Sequence, residues 1–459
     1  MGTPGMGGQS RVGRVLSLLA ALLAIGLIVH ALWNAVEGRR LNRTIRGQTA
    51  AGLPMSLRAV LPEPVPDQRN AAVPMAAAFS VIAGQSPGNE ETPEAVRRML
   101  YVRLDGAGAG PEGAREVGAL SEDEREALAA RLAEPDLKSV FQLLTAAAEG
   151  VPAQFPVDYE AGLPALTPHH RPLRTAHHLL MLRAWLASEA GEVDAALRDL
   201  RTALHLTRGL SKEPLIASHQ TRITCDRQTV RVLRQLLDRH PRAGIDTALL
   251  WSLTGSLTEA RGAGVPGIVR ALDGERVIFG GWLFLSLLSR ERRGDNLRSL
   301  PRTGWTRLYA TYFGRPLLKA DARAYLLRME AYRRAAESGN VRALQTLTDN
   351  PLPHHYPLTR AIEPTVAALW RSTVLWLTDL QLADVAVRVL IHAQVHSGTP
   401  ASLGVLEHTR NGVSLDPLGQ PLVYTRTADG FRLFSYGFAG PDAEVPPDEL
   451  VWEIGGQGD

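Results

Sequence analysis

The longest uninterrupted apolar pattern runs from Val15 to Val36, VLSLLAALLAIGLIVHALWNAV, without a charged side chain. A helix of about 22 residues rising ~1.5 Å per residue is ~33 Å long, which matches a hydrocarbon core. This predicts one transmembrane helix over residues 15–36, with Trp33 placed for the headgroup region. His30 falls near the end of the run, where a neutral imidazole reaches the interface. The run Val277–Leu288 is also apolar but only about 12 residues long, the length of a buried core helix.

Helical periodicity dominates beyond the anchor. Ser121 followed by Glu124 has the form of a capping box and opens a helix through about Ala133. Residues 172–190 and 193–209 form a pair, with Leu179, Leu182, Leu186 and then Leu197, Leu200, Leu204 at three- and four-residue spacing. Gly191 breaks the pair as a tight turn would. Further helices are expected at 213–239, 244–261, 267–292, 317–338 and 363–397, separated by Pro241, Gly262–Gly264, Pro301 and the Pro351/Pro353/Pro357 cluster. After Gly398 the period changes. Pro421–Thr427 and Phe431–Tyr436 have the pattern of strands around Ala428-Asp429-Gly430, a hairpin, and Leu450–Ile454 suits a third strand. A lone hairpin is marginal, so it must pack on the body, most simply on the 363–397 helix.

The organisation expected is therefore a disordered tail at 1–14, a transmembrane helix at 15–36 and an extended Pro/Gly-rich lead-in with short helices at 37–117. An α-helical body at 118–362 and a long helix with a β-hairpin module at 363–459 complete the chain. The fold class is mainly α, an irregular bundle or solenoid.

Composition narrows function. The chain has 459 residues, 45% hydrophobic and 21% charged, which excludes wholesale disorder. Fifty basic residues against 47 acidic ones leave a formal charge of +3, so no single-signed field supports a nucleic-acid partner. One cysteine, Cys225, excludes an internal disulfide framework and a Cys-rich zinc site. The segment Gly106–Gly113 lacks the GK[ST] ending of a phosphate loop and has the composition of a linker. Orientation is signalled both ways. Arg39, Arg40, Arg43 and Arg46 after the span outnumber Arg11 and Arg14 before it, favouring a cytoplasmic body. An apolar segment so near the N-terminus, behind a short basic stretch, has the form of an export signal or signal anchor.

Residues 172–209 resemble one tetratricopeptide hairpin. Ala184, Ala196 and Ala203 stand where helices approach closely, Gly191 in the turn and Leu200 in the large apolar slot. Arg183 and Ala187 depart from the repeat, and no second clean copy follows at a 34-residue offset. The lead-in LPEPVPDQRNAAVPMAAAF, with EPLIASHQTRITCDRQTVRVLRQLL, LDGERVIFGGWLF and RPLLKADARAYLLRMEAY, resembles an uncharacterised bacterial family of membrane-anchored helical proteins. The block DPLGQPLVYTRTADGFRLFSYG is similar to the C-terminal module of the type II secretion major pseudopilin, through Asp416, Pro417, Gly419, Pro421, Tyr424, Ser435 and Gly437. These resemblances imply an anchored protein with an extracytoplasmic, periplasmic body and a hairpin docked on a long helix. The pseudopilin likeness further implies a calcium loop, for which Asp416, Asp442, Glu444 and Asp448 would be the ligands.

Other candidate chemistry is sparse. The pairs His169/His170, His177/His178 and His354/His355 lack the i,i+4 spacing of a helical zinc motif, and HExxH is missing. Cys225 is expected as a packed hydrophobe and Glu275-Arg276 as an ion pair. The expected function is a non-enzymatic scaffold or protein-interaction role at the cell envelope, with an unidentified protein partner and the membrane bound through 15–36. A secretion or pilus-like accessory role and an enzyme with a dispersed site are the alternatives.

Overall fold

A computed structural model describes residues 11–83, 102–103, 115–150, 152–161, 167–241, 244–288, 308–309, 311–406, 414–443 and 445–455. The tail at 1–10, the linker at 106–113 and the last turn expected at 289–292 lie outside them. The described residues are 73% helical. The helices are α1 Arg11–Ala50, α2 Ala72–Ala83, α3 Glu122–Leu132, α4 Pro135–Glu149, α5 His170–Glu189 and α6 Val193–Leu206. Then come α7 Ile216–Arg239, α8 Thr247–Gly262, α9 Gly264–Gly274, α10 Arg315–Glu337, α11 Val341–Asp349 and α12 Pro357–His396. A two-residue parallel pair, β1 Val102–Arg103 and β2 Arg115–Glu116, precedes α3.

The N-terminal helix is long and apolar enough to cross a membrane. It does not end at Val36 as expected but runs on to Ala50. Arginine and leucine are good helix formers, residues 37–46 contain no proline, and the single Gly38 is tolerated within the run. The stop comes at Gly52, whose φ of +76° and Leu53 N–H bond to the Gln48 carbonyl (3.0 Å) complete a Schellman turn. Along this helix His30, Asn34, Glu37, Leu41, Ile45 and Gln48 recur every three or four residues, one stripe of a helix face. The stripe packs along α10. Gln48 Nε2 donates to the Leu326 carbonyl (3.0 Å) and to Glu330 Oε2 (2.9 Å). Lys319 Nζ donates to the Asn34 carbonyl (3.2 Å), and Arg323 lies 4.0 Å from buried Glu37. His30 meets the Tyr312 carbonyl at 3.2 Å and stands beside the rings of Tyr312 and Phe313.

The hairpin α5–α6 forms as its leucine spacing predicts, turning at Gly191 with φ +77°. Ala184, Ala196, Leu200 and Ala203 are fully buried where the two helices cross. Arg183 forms a two-pronged pair with Asp199 and lies over the Phe141 ring (3.8 Å). Helix α4 escaped the periodicity reading because Pro135 opens it; a proline at the first helical position has no N–H to lose. The apolar run expected as one helix at 267–292 is instead α9 followed by π-helical turns at Glu275–Phe279 and Gly281–Leu285. Gly280 permits this packing, since a Cβ there would meet Tyr325 Cε1 at 2.2 Å.

Strands β3 Val423–Arg426, β4 Phe431–Phe434 and β5 Val451–Ile454 form an antiparallel sheet in that order, with Arg426 opposite Phe431 and Phe431 opposite Ile454. Phe431, Leu433, Trp452 and Ile454 bury one face. The sheet rests on α12, as expected, and also on α7, where Arg234 donates to the Val451 carbonyl (2.9 Å).

Helix α7 crosses the centre of the body. Arg222 and Asp226, one turn apart and 1% and 0% exposed, face each other at 3.4 Å. Thr207 Oγ1 donates to Asp226 (2.6 Å), Arg222 donates to the Ala260 carbonyl (3.0 Å), and the guanidinium lies over Trp376 (4.9 Å). Burial pushes the Asp226 carboxyl up to about 6 against the pull of Arg222 and Thr207. Replacing Asp226→Ala leaves a buried guanidinium uncompensated and should cost about 3–5 kcal/mol in detergent-solubilised unfolding. A cost below about 1 kcal/mol would place this pair on the exposed-ion-pair scale instead.

Candidate functional site

The lead-in after α1 is folded onto the body by Asn70. Its Oδ1 accepts from Ala72 N (3.0 Å), capping α2, and from Gln154 N (2.8 Å), while its Nδ2 donates to the Gln154 carbonyl (2.8 Å). Gln154 Oε1 accepts in turn from Val65 N (2.7 Å). Two extended, proline-bearing segments are thereby held side by side. Between them lies a cleft of about 630 Å³, with Pro62, Val65, Val73, Phe155, Pro156 and Tyr159 among its walls.

Behind Phe155 and Tyr159 stands a buried cluster. His169 precedes the first residue of α5, and His170 is that first residue. Glu213 closes the 3-10 turn Arg208–Lys212 that leads into α7, and Ser218 lies in the first turn of α7. His169 Nε2 is 2.9 Å from Glu213 Oε1, and His170 Nε2 is 3.5 Å from Glu213 Oε2. Ser218 Oγ donates to Glu213 Oε2 and lies 3.0 Å from His170 Nε2. Phe155 stacks flat on His169, centroids 4.3 Å apart at 6°. Burial works to raise the Glu213 carboxyl, but the contacts from His169, His170 and Ser218 outweigh it and hold it at about 2. Burial, and then the Glu213 charge, raise the Tyr159 phenol above its ordinary value. Adjacent side chains point to opposite sides of a strand or ~100° apart on a helix. The two histidines converge here because His169 sits ahead of the helix and Glu213 approaches both from another segment.

The remaining sequence candidates are dispersed. Burial lowers His177, with the neighbouring His178 also lowering it, to about 3; the ring is neutral at physiological pH and meets Thr229 Oγ1 at 2.8 Å. His354 and His355 are exposed. Asp416 is buried, and its carboxylate is committed to its own chain. Oδ1 accepts from Leu418 N (2.9 Å) and Gln420 N (2.8 Å), and Oδ2 from Ser435 Oγ (2.7 Å). Asp442 and Asp448 are exposed, and Glu444 lies outside the described residues. Among the described residues the acidic set is not drawn into a convergent ligand group, whereas His169, His170 and Glu213 are. Arg276 pairs with Asp273 (3.0 Å), not with Glu275 as expected, and donates to the Pro54 carbonyl (2.7 Å). The Glu275 carboxyl, packed round by protein though not sealed from solvent, is pushed up to about 7 by burial.

No family model, curated protein or solved structure matches this chain.

Cys225 is buried in α7, and burial together with Asp226 raises its thiol. A thiolate is the reactive form, so the folded chain should resist a thiol reagent at neutral pH, reacting on the order of 100-fold slower than in denaturant. Comparable rates would show that α7 opens readily or that Cys225 is accessible.

Proposed function

We propose that this chain is a membrane-tethered helical scaffold whose body holds a protein partner at the cell envelope. The observation that carries this reading is the unbroken α1 helix. Its apolar N-terminal part suits a bilayer, and its C-terminal part is bonded along α10. A tether built this way fixes the body's height and rotation relative to the membrane. Tyr312 and Phe313, solvent-facing beside His30, suit the headgroup region that such docking brings them to. The α5–α6 hairpin, with its tetratricopeptide-like alanines, supplies a rigid helical wall. The cleft between the proline-bearing segments is open enough for an extended peptide.

A photo-crosslinking residue at Val73, on the cleft wall, should capture one discrete protein in native membranes. The same probe at Arg198, an exposed position on α6, should not. Identical products from both sites, or none from Val73, would contradict the scaffold reading. The signal-anchor form of the N-terminal segment supports an extracytoplasmic body. A C-terminal alkaline phosphatase fusion should therefore be active, and an inactive fusion with a fluorescent cytoplasmic counterpart would reverse the topology.

The C-terminal sheet on α12 favours a second reading, an accessory of a type II secretion or pilus-like system. Because Leu433 and Trp452 are core residues, deleting the module would unfold the body. Charge reversal at exposed Arg426 and Glu453 is the sharper probe, and association with secretion machinery that ignores it would remove this reading.

A further inference from the structure

We propose that His169, His170 and Glu213 bind a divalent transition-metal ion of the zinc class. Two imidazoles and a carboxylate are a donor set that zinc accepts, with metal–ligand distances of ~2.0–2.2 Å. Tetrahedral ligands at that distance lie ~3.3 Å from one another. Here the pairs from the two histidines to Glu213 measure 2.9 and 3.5 Å, and the three ligand atoms lie within 4.8 Å of one another.

The strongest observation is a mismatch. His169 Nε2 and Glu213 Oε1 are close enough for a hydrogen bond but are not aligned as donor and acceptor. Neither has a hydrogen-bond partner among the described residues. Their side chains are 4% and 3% exposed, so bulk solvent does not reach them. Buried polar atoms without partners are rare and costly in native proteins, and a bound ion is one of the few things that relieves them. A cation between these two atoms satisfies both at once and has His170 Nε2, which now meets Ser218 Oγ at 3.0 Å, as its third donor.

The surroundings are those of a supported site. Phe155 fixes the plane of His169, and Ser218 Oγ lies beside both His170 Nε2 and Glu213 Oε2 as the nearest further oxygen. The ligands are sealed from solvent, and Phe155 stands between His169 and the cleft. A closed site of this kind is structural. It ties the start of α5 to the connection between α6 and α7, and it backs the wall of the cleft. The bound form requires neutral histidines and an ionised Glu213.

The test uses the full chain in detergent, stripped with a chelator and titrated with Zn2+ or Co2+. One equivalent per chain should bind tightly, Zn2+ should raise Tm, and Co2+ should show the visible bands of a low-coordinate ion. His169→Asn, His170→Asn and Glu213→Gln should each weaken binding by more than the roughly 10–100-fold that loss of a supporting partner causes. Ser218→Ala should fall within that smaller range. A His392→Ala/His396→Ala chain, which removes a surface pair with ring centroids 4.3 Å apart, should bind as the parent does. Because a ligand substitution can itself cost folding, the unsubstituted chain decides alone. Absence of a stoichiometric Zn2+ equivalent at micromolar concentration overturns the assignment. An undiminished equivalent in a folded His169→Asn or Glu213→Gln chain does so too.

Discussion

The seam between α1 and α10 is the constraint on which the proposed role depends. A loose linker after an anchor would let the body tumble at the surface. Here the helix leaves its apolar stretch without a break and is bonded to the body by Asn34, Glu37, Leu41 and Gln48. Gln48 alone makes two bonds, one of them to the charged Glu330, in a buried position. Hydrogen bonds to charged groups contribute about 1.5–3 kcal/mol each. Against the small net stability of a typical domain, that is enough to keep the seam closed.

The body behind the seam is organised around a second polar line. From Glu213 through Ser218, His219, Arg222 and Asp226, the segment entering and crossing α7 turns polar side chains inward. Each has a partner on another element: the α5 histidines, Thr373 and Trp376 on α12, Ala260 on α8, and Thr207. Apolar packing tolerates rotation and sliding; these groups do not, because a slipped helix would strand a buried charge. The proposed metal cluster is the first member of this line, and the cleft wall rests on it through Phe155.

Much of the architecture is legible in the residues. The leucine spacing of α5 and α6, the Ser121 capping box and the strand pattern around Asp429 are local signals that formed where expected, and the apolar run formed a helix, though a longer one than its apolar part. What escaped depended on contacts distant in sequence. The extension of α1 is polar, and its buried stripe finds its partners only on α10. The π-helical turns follow from the fit of Gly280 against Tyr325, not from any local signal. Asp416 is an acid in a loop, but its loop's own N–H groups engage one carboxylate oxygen and the distant Ser435 hydroxyl the other. The histidine pair was discounted on ideal helix geometry, and the residue that unites the pair, Glu213, lies 43 positions beyond His170. The one available hint was compositional: an EPLIASHQTR segment too polar for a buried helix unless its polar groups have partners.

The most direct test of the account is a distance measurement across the seam. With Cys225→Ser as background, spin labels at exposed Arg46 on α1 and exposed Arg198 on α6 report how the tether sits on the body in reconstituted membranes. The account predicts one narrow distance distribution, broadened when Gln48→Ala and Glu37→Ala loosen the seam. A broad distribution in the unaltered seam would mean that the helix leaves the bilayer as a free linker, and would contradict it.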